Sequence, residues 1–255
     1  MKTQLTETDL KFDLKFLLVG ASGVGKTHLC GTYTKGPIHF YSTDPGGEKT
    51  LFKLLKGRPD HAPITIDKFN INEQTYQDFW KKLQEDAKDG FFDQMSEQQG
   101  LVVLPDSLTT LSMMALESVA KKHKRDLTNL DKIMRIQDWG VLGAWLKELI
   151  SAINTIPCAV ASTAHLHIDT DENGAVIARS PLIQGKLRYT MGLFYDEVYL
   201  LERRGKDHII YMKEHKMFEA KTRTFPDDSI KNITLDNIAD AYLQGKALKE
   251  VISTK

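Results

Sequence analysis

The chain has 255 residues, 41% hydrophobic and 27% charged, ordinary globular composition that excludes a disordered or fibrous chain and leaves room for one large domain or two small ones. Lys plus Arg number 34 and Asp plus Glu number 34, so the net charge is zero. A bulk polycation that coats nucleic acid is excluded, and any DNA contact is local.

The polar lead MKTQLTETDLKFD, residues 1–13, carries no apolar signal core. No later stretch reaches the roughly 18 uninterrupted apolar residues of a membrane span. Cys30 and Cys158 lie far apart in apolar surroundings and fit a reducing compartment better than a disulfide framework. The chain reads as soluble and cytoplasmic, with no membrane partner.

Phe16 to Val19 is a short apolar run ending in glycine, as a buried parallel strand looks. A helix is expected from Lys26 to about Tyr33, a second strand over Ile38–Ser42, and a helix from Glu48 to Lys56 stopped by Gly57-Arg58-Pro59. Between Glu73 and Lys88 the apolar positions Tyr76, Phe79, Trp80 and Leu83 have helical spacing. The tract from Asp93 to Gly100 reads as a polar connection into a third strand, Leu101–Leu104, with helices after it at about Leu108–His123 and Trp139–Asn154. A fourth strand is expected at Cys158–Thr163. The pattern then changes: a hairpin over Ile168–Ala178 around Asp171-Glu172-Asn173-Gly174, paired strands at Glu197–Leu201 and His208–Lys213, and a helix over Asp236–Leu248. Strands alternating with helices, then antiparallel strands, define an α/β fold: a mainly parallel central sheet flanked by helices, with an antiparallel edge extension.

Gly20-Ala21-Ser22-Gly23-Val24-Gly25-Lys26-Thr27 satisfies G-x-x-x-x-G-K-[ST] at every position, between an apolar strand and a helix. Glycines there let backbone N–H groups curl around a phosphate chain, and the helix points its positive end at it. Lys26 is placed to reach the β- and γ-phosphates of ATP and the Thr27 hydroxyl to bind Mg²⁺; His28 follows directly. The acidic residue completing the Mg²⁺ shell is expected at Asp106, after the third strand, although Pro105 removes a ladder donor in the middle of the sheet.

GASGVGKT, followed by YSTDPGGEKTL, VVLPDSLTTL, QDWG, STAH, PLIQGKL, FYDEVYLL and EAKTR, resembles the RecA-type P-loop ATPases of bacteriophages, which act in homologous recombination as single-strand annealing or strand-exchange proteins. The resemblance covers roughly residues 14–226 and implies a RecA-like P-loop NTPase core there, with 1–13 as a lead and 227–255 as a C-terminal helical tail. It implies ATP hydrolysis coupled to single-stranded DNA in the bacterial cytoplasm, and a homo-oligomeric ring or filament with active sites between subunits. A single-strand DNA-binding protein is a further partner it allows. Residue by residue, Asp44 falls where such proteins keep the acid that activates the attacking water, with Glu48 as the alternative. His165 falls at the γ-phosphate sensor. Lys221 and Arg223 resemble the Lys-x-Arg element supplied to a neighbour's site.

Two stretches are locally basic. Lys121, Lys122, Lys124, Arg125, Lys132 and Arg135 face only Asp126 and Asp131 between Val119 and Ile136, while Arg179, Lys186 and Arg188 bracket Pro181–Gly185. Both are expected to meet DNA phosphates. Two other functions share the phosphate loop: a small-molecule P-loop kinase, and a nucleotide-regulated assembly protein that hydrolyses little.

Overall fold

A computed structural model of the chain describes residues 11–71, 73–125, 127 and 134–253. Ten strands are described: β1 (Lys15–Gly20), β2 (Ile38–Ser42), β3 (Ile64–Lys68), β4 (Leu101–Asp106), β5 (Ala159–Ala164), β6 (Leu166–Thr170), β7 (Val176–Pro181), β8 (Glu197–Arg204), β9 (Asp207–Tyr211) and β10 (Ser229–Lys231). Eight form one sheet in the order β10-β9-β8-β1-β5-β4-β2-β3. From β3 to β8 all neighbours are parallel, and β9 and β10 extend the β8 edge antiparallel. This is the RecA-like arrangement of a P-loop NTPase.

β1 shows why the sheet is central. Its six residues are all buried, and side chains alternate across a strand. Leu17 and Val19 therefore join the core under one helical layer, Phe16 and Leu18 the core under the other. The first layer holds α3 (Tyr76–Lys88), α4 (Phe91–Glu97), α5 (Leu108–Lys122) and α6 (Ile136–Thr155). The second holds α1 (Lys26–Gly31), α2 (Gly47–Leu55), α7 (Leu235–Gln244) and α8 (Leu248–Ser253).

Differences from the sequence reading are local. α1 ends at Gly31, two residues early. α4, which starts at Phe91 and buries Phe92 and Met95, takes up the first half of the tract read as a polar connection before β4. β3 escapes notice because as an edge strand it carries Asp67 and Lys68 and has no fully buried position. The hairpin stands apart as its own sheet, β6 with β7. The C-terminal helix divides at Gly245, which takes a left-handed conformation (φ 62°), and β10 precedes it. Pro105 is accommodated by a register shift: Phe40 pairs with Val103 but Ser42 with Asp106. The extra residue on β4 makes a bulge in which a missing donor breaks no ladder bond. Among the described residues no helix is long and apolar enough to cross a membrane.

Candidate active site

The C-terminal ends of β1, β5, β4 and β2 converge on one edge of the sheet, and the polar residues there bond to one another. The phosphate loop leaves β1 at Gly20, where a Cβ would lie 2.5 Å from the Leu201 carbonyl of β8. Only glycine lets the loop start so close to its neighbour strand. Lys26 opens α1, buried, with its ammonium donating to the carbonyls of Gly20 and Ala21, each at 2.9 Å. Burial lowers its pKa, while the carboxylates of Asp106 and Asp44 pull the other way. Ala21, Ser22 and Gly23 are exposed at the loop's tip, and His28 is exposed on the first turn of α1.

Asp106, 2% exposed, ends β4. Thr27 Oγ1 donates to its Oδ2 at 3.1 Å, and Thr163 Oγ1, from the intervening strand β5, to its Oδ1 at 2.5 Å. Burial raises its pKa, the nearby Asp44 adds to that, and the two threonine hydroxyls with Lys26 oppose it. The group sits where a cation would relieve it. Among the described residues there is no cluster of three His, Cys, Asp or Glu that could hold a metal alone. One carboxylate and one hydroxyl beside a phosphate loop instead fit a hard divalent cation that takes its other oxygens from phosphate and water.

Asp44 lies one strand further on. Backbone N–H groups of Thr43 and Asp44 donate to the Asp106 carbonyl at 2.7 and 3.1 Å, and Thr43 and Ser107 exchange two bonds, at 2.9 and 3.0 Å. The ends of β2 and β4 are thereby fixed to each other. Asp44 Oδ1 accepts from Ser107 Oγ at 2.7 Å and from Thr110 Oγ1. Its Oδ2 faces His165 Nε2 at 3.6 Å. Burial raises the carboxyl, but the facing His165 and the hydrogen bonds from Thr110 and Ser107 outweigh it and hold Asp44 below the ordinary aspartate value. Both partners remain about a quarter exposed, Asp44 at 26% and His165 at 29%, so the pair is open to a ligand. Asp44 and Glu48 line one cleft of about 340 Å³, in which Glu48 is paired with Lys68 at 2.9 Å.

Lys26, Thr27, Asp106, Asp44 and His165 are thus brought to one edge. Sequence reasoning missed the hydroxyls that organise them: Ser107, Thr110 and Thr163. The signal for the first two is the run Asp106-Ser107-Leu108-Thr109-Thr110, in which Ser107 also caps α5 by accepting from the Thr110 N–H. Asp106 itself does not cap that helix.

Lys221 and Arg223 lie elsewhere. Lys221 pairs through its backbone with Val198 near the start of β8, opposite Leu17 rather than Gly20, hence at the far end of the strands from this chain's own phosphate loop. Its ammonium donates to the carbonyls of Gly192, at 2.8 Å, and Tyr195. Arg223 is 59% exposed and pairs with Asp196 at 3.0 Å.

The basic stretches divide. Arg125 is held by the buried Asp138, Nε to Oδ2 at 3.0 Å, and its bonds with those of the Arg135 N–H and His123 keep that carboxyl well below the usual range. Lys122 lies over the Trp145 ring at 5.7 Å. Lys121 and Lys124 are exposed; Asp126, Asp131 and Lys132 lie outside the described residues. Lys186 is exposed at a 3-10 turn after β7, and Arg188 lies over Tyr189 at 4.9 Å.

A parallel sheet with a phosphate loop at its C-terminal edge, and a buried aspartate two strands away bonded to the loop's threonine, defines a P-loop ATPase. A family model described as an AAA domain matches residues 13–224. The chain belongs to this AAA-domain family. Among solved structures it is similar to a KaiC-like protein of the hyperthermophilic archaeon Pyrococcus horikoshii, with 11% identity over 86% of this chain and 89% of that one and a TM-score of 0.45. No curated protein matches the sequence.

Proposed function

We propose that this ATPase hydrolyses MgATP in step with binding single-stranded DNA, as an annealing or strand-exchange protein of bacteriophage recombination, and that it works as a homo-oligomer. One observation carries the coupling. His165 faces Asp44 on one side and on the other is the base of the hairpin, since β6 begins at the next residue and the Leu182 N–H after β7 donates to the His165 carbonyl at 2.7 Å. The residue that faces Asp44 therefore also holds the segment that leads to Lys186 and Arg188.

In this reading the loop N–H groups and Lys26 bind phosphate, and Thr27 and Asp106 hold Mg²⁺, which when bound neutralises developing charge on the phosphate oxygens. Asp44, kept ionised by Ser107 and Thr110, orients the attacking water and accepts its proton. His165 hydrogen-bonds the γ-phosphate and moves when it leaves. Lys186 and Arg188, with the exposed Lys121 and Lys124, contact the DNA backbone; Arg125 and Lys122 support the fold around them. Arg223, remote from its own site and exposed, serves a neighbour's in a ring or filament, while Lys221 holds the turn that presents it.

The test is phosphate release with and without single-stranded DNA, and with small phosphoryl acceptors. Stimulation by DNA supports the proposal. Transfer to a small acceptor would make the protein a kinase, and binding without turnover an assembly protein.

A further inference from the structure

Resting on the reading of this site as an ATPase, we infer that His208, which lies 183 residues beyond Gly25 in the sequence, is a positioning residue that sets the phosphate loop before nucleotide arrives. β8 runs beside β1, with Leu201 opposite Gly20, and continues to Arg203, opposite which β9 places His208. The antiparallel edge thus carries one side chain past the end of β1 and over the loop.

Three contacts define what it does. His208 Nδ1 lies 2.9 Å from the Val24 carbonyl. A carbonyl only accepts, so Nδ1 bears the proton and the tautomer is fixed. The ring also packs against Gly25, where a Cβ would come within 3.0 Å of Nδ1; with its φ of 101°, this glycine is required twice over. Third, the ring lies parallel to that of His28, with centroids 6.3 Å apart and planes 7° apart.

The consequence follows from peptide geometry. Across a trans peptide the Val24 C=O and the Gly25 N–H point in opposite directions. Pinning the carbonyl outward on His208 turns the Gly25 N–H away from His208, as a donor available to phosphate. A glycine-rich loop without that bond would sample both orientations and lose conformational entropy on binding.

His208 is itself held. Its N–H donates to Asn232 Oδ1 at 2.9 Å and its carbonyl accepts from the Asn232 N–H at 2.8 Å, while Asn232 Nδ2 donates to Asp207 at 3.0 Å. Asn232 follows β10. The antiparallel edge therefore acts as a brace for the loop.

The experiment compares His208→Leu, which removes the donor, with His208→Asn, whose side-chain amide reaches the place of Nδ1. Hydrogen exchange of residues 20–27 is followed in the nucleotide-free protein, beside the Kd for MgATP and kcat at saturation. The leucine variant is expected to exchange faster at Val24–Lys26 only and to bind about fivefold more weakly, as befits one neutral hydrogen bond, with kcat little changed. Asparagine restores both. Unchanged loop exchange in the leucine variant overturns the inference, and so does exchange that asparagine leaves as fast as leucine does, since the ring rather than the donor would then matter. Should the leucine variant not fold, parental loop exchange in the asparagine variant supports the inference and fast exchange overturns it. A parent that neither binds nor hydrolyses ATP would sink the ATPase reading, yet the exchange comparison would still decide the role of His208.

Discussion

The two ends of β1 each bury a lysine, and they use it differently. At the start of the strand Lys15 donates to three carbonyls, Asp13 at 2.7 Å, Ile156 at 2.9 Å and Cys158 at 2.7 Å. Just past its end Lys26 donates to two, those of Gly20 and Ala21. Burial lowers the pKa of both. An ammonium has three protons to give, so Lys15 is fully satisfied by the chain, whereas Lys26 keeps one donor in reserve and borrows its two acceptors from the loop that a phosphate would reorganise. A buried charge with a complete set of partners is structure. One with an incomplete set, next to a carboxylate that burial pushes toward its neutral form, is a site waiting for a ligand.

Exchanging the roles gives the largest effects. Lys26→Ala is expected to abolish ATP turnover, because it removes a charge held for phosphate, and to cost less stability than the change at Lys15, because it leaves two loop carbonyls rather than three without their donor. Lys15→Met leaves three carbonyls without their donor and should cost about 3 kcal/mol of stability, with turnover per folded molecule preserved. Phosphate release and urea unfolding on the two variants decide it; full activity in Lys26→Ala would end the comparison.

Asp44 sharpens it. Asp44→Asn is expected to bind nucleotide normally and lose about 10²–10⁴-fold in turnover, the range for a general base, whereas unchanged turnover would move the base to Glu48. The pH dependence has a definite sign. Asp44 is held below its ordinary value of 3.8, so its ionised form is favoured by folding. That contribution is complete above the unfolded value and is lost as pH falls through the folded one. The stability difference between parent and Asp44→Asn in urea unfolding should be constant from pH 7 to about 5 and shrink only below about 4.

The parts legible in the sequence were those in which one residue type is chemically forced. The phosphate loop is readable because G-x-x-x-x-G-K-T needs glycine, lysine and threonine at fixed places, and β1, β2, β4 and β5 because every position is buried and the runs are mostly apolar. β3 was not, since an edge strand with polar Asp67 and Lys68 has no period to show. Nor was the role of Arg125, because its partner Asp138 is reached only when α6 folds back beside α5. The hydroxyls around Asp44 and the brace of His208 on Val24 were illegible for the same reason: serine, threonine and histidine are common, and only the sheet order brings them to the loop.

Arg223 tests whether the far end of the strands belongs to a second site. It lies exposed near the start of β8, its guanidinium paired with Asp196. Arg223→Ala should bind ATP almost as the parent does and hydrolyse it at least tenfold more slowly, because a cation acting in the transition state lowers turnover more than binding. Mixing it with Lys26→Ala should restore part of the activity, since each variant supplies what the other lacks. Activity independent of protein concentration, with no rescue on mixing, would leave Arg223 a surface charge.

The smallest expected effect lies in the loop after β7. Lys186 is exposed on its 3-10 turn, and Arg188 rests on the half-exposed Tyr189, so under the proposed function these two cations would be the ones to meet a DNA backbone here. Phosphate contacts release counterions, with a slope near 0.7 per contact for single strands. Replacing both Lys186 and Arg188 by alanine should therefore flatten the plot of log affinity against log salt by about 1.4 and weaken binding severalfold at moderate salt, with little dependence on DNA sequence. The same double variant should keep its DNA-independent ATP turnover, because neither side chain bonds to Asp44, Asp106 or Lys26. An unchanged salt slope would place the DNA elsewhere, first on Lys121 and Lys124. Loss of basal turnover would show instead that the hairpin and its following turn support His165 directly, through the backbone bond between Leu182 and His165.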